Sequence, residues 1–282
     1  MNSSGNSPKV RPGHDSGCER HDAGAAGSRS PRHPPVAVAI LAAGLSRRMG
    51  ALNKLVQELD GEPMVRRVAQ QALAARCDRV LVVLGHEADM VRAALSGLDV
   101  RFIHNPDYQE GLAASVCAAA RAARPGEALM ICLGDMPQVD AMVIDRLIDA
   151  YRADVNGDAA RTSLQGKPPL GDHDQTGGAS RGTAGLREES IEAHAPAHEG
   201  GAAPKAAYQP EFEGRRGNPV LWAPHAVPQL AALRGDEGAR ALLKRLAGQV
   251  AAVPVQGGGI FMDIDTPQAL QAAREQEKFP RT

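Results

Sequence analysis

Aromatic side chains are scarce: Phe, Trp and Tyr make up 3% of the 282 residues. A surface that stacks single-stranded bases needs ring faces, so that architecture is excluded. An excess of charge of either sign is also lacking. The formal net charge is −1, which gives no electrostatic reason to bind nucleic acid or an acidic membrane. Cysteine is sparse too. Cys18, Cys77, Cys117 and Cys132 are widely spaced and form no C-x-x-C pair. Three of them lie in apolar stretches and read as small core residues of a reducing compartment, and the set is neither a disulfide framework nor a zinc site. No run approaches the ~20 apolar residues of a membrane span, and Met1–Gly5 begins no apolar leader. The expectation is a soluble, cytoplasmic chain with no nucleic-acid or membrane partner.

What is present is a hydrophobic share of 43%, enough for a sizeable core. It is unevenly spread. Residues 1–34 are rich in Gly, Ser, Pro, Arg and His with no hydrophobic period, and read as a disordered extension. Order should begin with the apolar run Val36–Leu41, a buried parallel strand. Types then alternate: helix to about Arg76, strand Arg79–Leu84, helix Glu87–Leu95, strand Val100–His104, helix Ser115–Ala123, strand Ala128–Leu133, helix Ala141–Tyr151. Such alternation predicts right-handed crossovers and a mostly parallel sheet covered on both faces, an α/β Rossmann-like three-layer sandwich. Residues 154–206 are nearly devoid of large apolar side chains and read as a disordered insertion. Pattern resumes at Gly217–Trp222, with helices over 226–232 and 238–246, a strand over Val250–Val255 and a last helix from Pro267. The domain therefore spans 35–275 around the insertion, with a tail at 276–282. Without extension and insertion about 190 residues remain, the size of one α/β domain.

The sharpest motif leaves the first strand: Leu41-Ala42-Ala43-Gly44-Leu45-Ser46-Arg47-Arg48-Met49-Gly50, with Lys54 beyond. Open α/β sheets bind ligands at the carboxyl ends of their strands. Small residues there let backbone approach a nucleotide, and N–H groups of a glycine loop can face phosphate oxygens. Arg48 and Lys54 add positive charge for a polyphosphate. Neither the P-loop spelling nor G-x-G-x-x-G is present. A second motif, Gly134-Asp135-Met136-Pro137, follows the fourth strand, where a carboxylate can hold Mg²⁺ or simply cap a helix. A third, Asp263-Ile264-Asp265-Thr266-Pro267, places two carboxylates at a spacing that points them the same way in an extended segment.

These residues resemble the molybdopterin nucleotidyltransferases of the MobA-like NTP transferase family, most of all the molybdenum cofactor cytidylyltransferases. The shared spelling is L-A-A-G-x-S-x-R-M-G-x-x-x-K, then G-D-M-P and D-x-D-T-P. The resemblance covers about 36–153 and 207–275. It implies a sheet of the nucleotide-diphospho-sugar transferase type and a loop, Leu41, Ala42, Ala43, Gly44, Ser46 and Gly50, that holds the nucleotide's triphosphate with Arg48 and Lys54. It implies that Asp135 and Asp265 hold Mg²⁺, with Asp263 behind them, and that Gly111 and Ser115 lie near the base. Arg216, Asn218 and Arg240, in G-N-P and G-D-x-G-A-R stretches, would grip an anionic acceptor. The implied reaction moves CMP from CTP to the phosphate of molybdenum-loaded molybdopterin and releases pyrophosphate, with a recipient molybdoenzyme as a further partner. The guanylyl branch usually reads L-A-G-G, so Ala43 favours the cytidylyl branch. A guanylyltransferase, a sugar-phosphate or alditol-phosphate nucleotidyltransferase of the same fold, and a non-catalytic nucleotide-binding partner of a molybdoenzyme stand as alternatives.

Overall fold

The computed structural model describes residues 33–49, 53–165, 204–234 and 238–278. The expected N-terminal extension and the middle of the expected insertion lie outside the described residues.

Val36–Ala42 forms β1, and all seven of its residues are buried. Glu58–Leu59 (β2) and Glu62–Pro63 (β3) form a short antiparallel hairpin. Met64–Ala74 (α1), Arg79–Leu84 (β4), Ala88–Ala94 (α2), Arg101–His104 (β5), Leu112–Ala122 (α3), Ala128–Leu133 (β6) and Ala141–Gln165 (α4) then alternate. Beyond residue 203 come Ala207–Phe212 (β7), Arg215–Arg216 (β8), Val220–Trp222 (β9), Val227–Ala231 (α5), Gly238–Arg245 (α6), Val250–Pro254 (β10) and Pro267–Lys278 (α7). The main sheet runs β10-β7-β9-β6-β1-β4-β5, with β8 hanging from β7. On that path only β9 is antiparallel to its neighbours, β6 and β7.

Alternation along β1 builds two cores from one strand. Val38, Ile40 and Ala42 pack with Val68, Val91 and Ile144 of α1, α2 and α4. Ala37, Ala39 and Leu41 pack with Val116, Leu230 and Leu242 of α3, α5 and α6. The result is the expected three-layer sandwich. A third, smaller cluster joins Met49, Leu59, Met64, Ile264 and Leu270. It ties the loop after β1 to the segment before α7.

The short strands β2, β3 and β8 lie outside the sequence expectation, and two longer elements depart from it. The helix α4 does not stop near Tyr151 but runs to Gln165, into the segment read as irregular. A single Gly157 costs only about 1 kcal/mol in a helix, and no proline follows until Pro168. The strand β7 was not foreseen at all, because Pro210 demotes a strand reading. Pro210 sits between the residues that pair with β9 and those that pair with β8. There its carbonyl accepts the Gly217 N–H at 2.9 Å, and its missing N–H does little harm.

One buried ion pair locks the amino-terminal ends of β4 and β6. Arg79 Nε donates to Glu127 Oε1 at 2.8 Å, and the Arg124 N–H donates to Glu127 Oε2 at 2.8 Å. Burial pushes the Glu127 carboxyl up, but its bonds to Arg79 and Arg124 outweigh that and hold it below its ordinary value. A depressed carboxylate stabilises the fold above its unfolded pKa, and that share is lost as pH falls through the lower, folded value. Glu127→Ala strands the guanidinium, at a cost of about 3–5 kcal/mol. The urea midpoint should fall accordingly at neutral pH, and the gap to wild type should narrow in acid. An unchanged midpoint would show that the pair contributes nothing.

Candidate active site

The strands β1, β5 and β6 run parallel, so the loops that follow them emerge at one edge of the sheet. Between these loops lies a cavity of about 380 Å³. One wall is Leu41, Ala43, Gly44, Leu45 and Ser46. The opposite wall is Tyr108 through Leu112 with Ser115, and Lys54 and Asp135 close the end. The loop after β6, which carries Asp135, can approach the end of β1 because Gly134 carries no side chain. A Cβ there would stand 2.9 Å from the Leu41 carbonyl, the same carbonyl that accepts the Gly134 N–H at 3.1 Å.

The loop after β1 is set by Ser46, a non-glycine residue at φ 49°. That left-handed conformation is uncommon and persists where surroundings hold it. Here the Ser46 carbonyl accepts the Met49 N–H at 2.8 Å, and its Oγ accepts the Lys54 N–H at 3.2 Å. The hydroxyl thus organises the loop, and it fixes where the Lys54 side chain starts. Buried Asn53 caps the next turn by accepting the Leu55 N–H at 3.0 Å.

Lys54 Nζ donates to Asp135 Oδ2 at 2.5 Å and also to Asp265 Oδ1. Arg48 Nη1 donates to the other oxygen of Asp265 at 2.9 Å. Packing of Met49 and Ile264 in one cluster brings these segments together, and the Ile264 N–H donates to the Asp135 carbonyl at 3.0 Å. Burial disfavours the Lys54 ammonium, but Asp135 and Asp265 more than offset it and raise its pKa above the ordinary value. The hydrogen bond from Lys54 overcomes burial at Asp265 and lowers its pKa. Asp263 moves the other way, raised by burial first and by the Asp265 charge second.

The structure therefore brings together Lys54, Asp135, Asp265 and, at the rim, Arg48. It also places Leu41, Ala43, Gly44, Ser46, Gly111 and Ser115 on the cavity wall. It does not place Ala42 there. The strand's alternation turns Ala42 into the opposite core, with Val38 and Ile40. Gly50 lies outside the described residues. Nor do the three expected acceptor residues meet. Arg216 is exposed and its Nε lies 3.5 Å from a Glu211 carboxylate oxygen. The Asn218 N–H donates to the Ile260 carbonyl at 3.0 Å, in the core shared with α1 and α4. Arg240 stands on α6, which packs over the other face of the sheet. Tyr108, Gln109, Glu110 and Leu112, all on the wall, lie in the polar stretch from Asn105-Pro106 to Ser115, whose place after a strand suits base or ribose contacts. Their loop has no spacing rule, although the Asn105-Pro106 turn before it marks where it starts.

Residues 38–178 match the family profile of the MobA-like NTP transferase domain. The chain belongs to that family. Among curated proteins, this NTP transferase is 35% identical over 116 residues to the bifunctional protein GlmU of Burkholderia orbicola strain AU 1054, covering 41% of this chain and 25% of that one. The chain thus spans about a quarter of the length of the curated relatives it matches. Among solved structures it is similar to Rv0371c of Mycobacterium tuberculosis H37Rv, with TM-score 0.61, 20% identity, and 86% and 99% of the two chains covered. The complex of Rv0371c with manganese superposes at TM-score 0.56, 21% identity, and 86% and 99% coverage. A nucleotidyl transferase from Methanothermobacter gives TM-score 0.60 at 20% identity, covering 86% of this chain and 97% of that one. At such identities these structures speak for the fold.

Proposed function

We propose that this MobA-like NTP transferase moves CMP from CTP to the phosphate of molybdenum-loaded molybdopterin, with Mg²⁺, and releases pyrophosphate. The observation that carries the reading is the Lys54 ammonium held between Asp135 and Asp265 at the end of the cavity. Two carboxylates already converge on one cation position there. Among the described residues no cluster of three His, Cys, Asp or Glu could hold a metal by itself. Two hard oxygen donors, completed by water and substrate phosphates, is the set that Mg²⁺ takes. Residues and group fit. The manganese complex of Rv0371c, a protein of the same fold, adds support.

Asp135 and Asp265 would hold the ion, and when bound it supplies Lewis-acid polarisation of the phosphate. The acceptor's phosphate oxygen attacks the α-phosphorus, and the bond to pyrophosphate breaks. A phosphate monoester is already nucleophilic, so the protein needs no general base. Its work is positioning and charge stabilisation. Lys54 and the loop amides after β1 face the departing pyrophosphate, with Arg48 at the rim. Leu41, Ala43 and Leu133 give the cavity apolar lining.

Ala43 is on the wall, which supports the cytidylyl choice. One methyl in a pocket discriminates by roughly 10–200-fold. Pyrophosphate release with Mg²⁺ and molybdenum-loaded molybdopterin is therefore expected to be at least about tenfold faster with CTP than with GTP. The reverse preference would assign the guanylyl reaction. Release only with sugar or alditol phosphates would assign another acceptor, and none with any acceptor would leave a nucleotide-binding partner role.

A further inference from the structure

Asn105 and Ser115 are both buried, 2% and 5% exposed, and they are bonded to each other. Asn105 Nδ2 donates to Ser115 Oγ at 3.2 Å, while Asn105 Oδ1 accepts the Asp107 N–H at 3.1 Å. The second bond decides the polarity of the first. A main-chain N–H can only donate, so it must face the amide oxygen, and the amide nitrogen is left to face Ser115. Asn105 is itself anchored, its N–H donating to the Leu84 carbonyl at 2.8 Å. Ser115 Oγ is therefore an acceptor toward Asn105, and its own proton must go elsewhere. In a helix the usual outlet is the carbonyl one turn back, and the structure shows no such bond. Among the described residues the Ser115 hydroxyl has Asn105 as its hydrogen-bond partner. Ser115 lines the cavity.

We propose that Asn105 is a positioning residue that commits the Ser115 hydroxyl to donating its proton into the cavity, to an acceptor atom on the base or ribose of the bound nucleotide. This rests on the reading of the cavity as the nucleotide pocket. An oxygen or nitrogen lone pair of the ligand completes Ser115. A ligand N–H or O–H aimed at the same spot meets a second donor and is rejected.

The test is equilibrium binding, by calorimetry on the full chain with Mg²⁺, of whichever of CTP and GTP the wild type holds. Ser115→Ala is expected to weaken binding about tenfold, at the upper end for one hydrogen bond. Asn105→Asp turns an acceptor toward Ser115, reverses the hydroxyl and should weaken binding by a similar factor. The two losses should not add: in the Ser115→Ala background Asn105→Asp should change affinity less than twofold. Additive losses would show that Asn105 merely shapes the loop and would overturn the inference. So would unchanged binding by Ser115→Ala. If Asn105→Asp does not fold, Asn105→Ala frees the hydroxyl and completes the same cycle. The 2′-deoxynucleotide tests the ribose 2′-hydroxyl. Equal loss on Ser115→Ala for ribo and deoxy forms excludes the 2′-hydroxyl as the acceptor, and no further loss for the deoxy form assigns it. If the wild type binds neither CTP nor GTP, the pocket reading itself falls, and this inference with it.

Discussion

Asp135→Ala is expected to lower the rate of nucleotidyl transfer about a thousandfold while leaving the fold intact. The size follows from the charge. Asp135 is one of two carboxylates that converge on a single cation position. Losing it removes several kcal/mol of charge stabilisation from the transition state, and about 4 kcal/mol is a factor of 10³ in rate. The fold survives because the contacts that place this loop belong to the main chain. The Asp135 carbonyl accepts the Ile264 N–H, and the Gly134 N–H donates to Leu41. Both persist in alanine. Pyrophosphate release and a thermal melt on one preparation check the claim. A variant with full activity would remove Asp135 from the site, and one that unfolds would make the residue structural.

Lys54→Met is expected to cost a factor of about 10²–10³ in kcat/KM, the loss seen when one charge-stabilising donor is removed from an active site. Its larger interest lies in the nucleotide-free protein. The Lys54 side chain is 13% exposed, and its partners Asp135 and Asp265 are 17% and 32% exposed. Methionine fills the same volume without charge and leaves the two carboxylates facing each other. A divalent cation then has an open position with two ligands and no competitor. Mn²⁺ at one hundred times its Kd would add about 2.7 kcal/mol to stability, roughly 5–10 °C in Tm for a domain of this size. The wild type, whose own ammonium holds that position, should shift less. Equal shifts in the two proteins would mean that the ammonium and the metal do not share a place.

The sequence made the nucleotide half of the fold plain for a physical reason. Runs such as Val36–Leu41 and Ala128–Leu133 are buried on both faces, and only a central parallel strand needs that. The strands β4 and β6 begin and end at the residues expected from the sequence, Arg79–Leu84 and Ala128–Leu133. The half beyond residue 203 was harder to read because pairing there is not local. The partners of β7 are β9, β8 and β10, and a strand with Pro210 in it is stabilised by neighbours that no short window contains. The site divides in the same way. Lys54, Asp135 and Asp265 could be picked out because each lies in a spelled motif at the end of an element. Ala42 was misplaced because a motif gives letters, whereas the cavity is lined by alternate residues of a strand. Asn105 could have been read as a turn residue alone, since its partner Ser115 is on the next helix.

The place where α4 meets β7 has a further consequence. Asp154 Oδ2 accepts the Lys205 N–H at 3.0 Å and the Tyr208 hydroxyl at 2.6 Å. One carboxylate on the helix thus holds the chain on the far side of some fifty intervening residues. The entry to β7 is therefore set from the helix itself, through two bonds on one side chain, at the start of the strand that pairs with both β9 and β10.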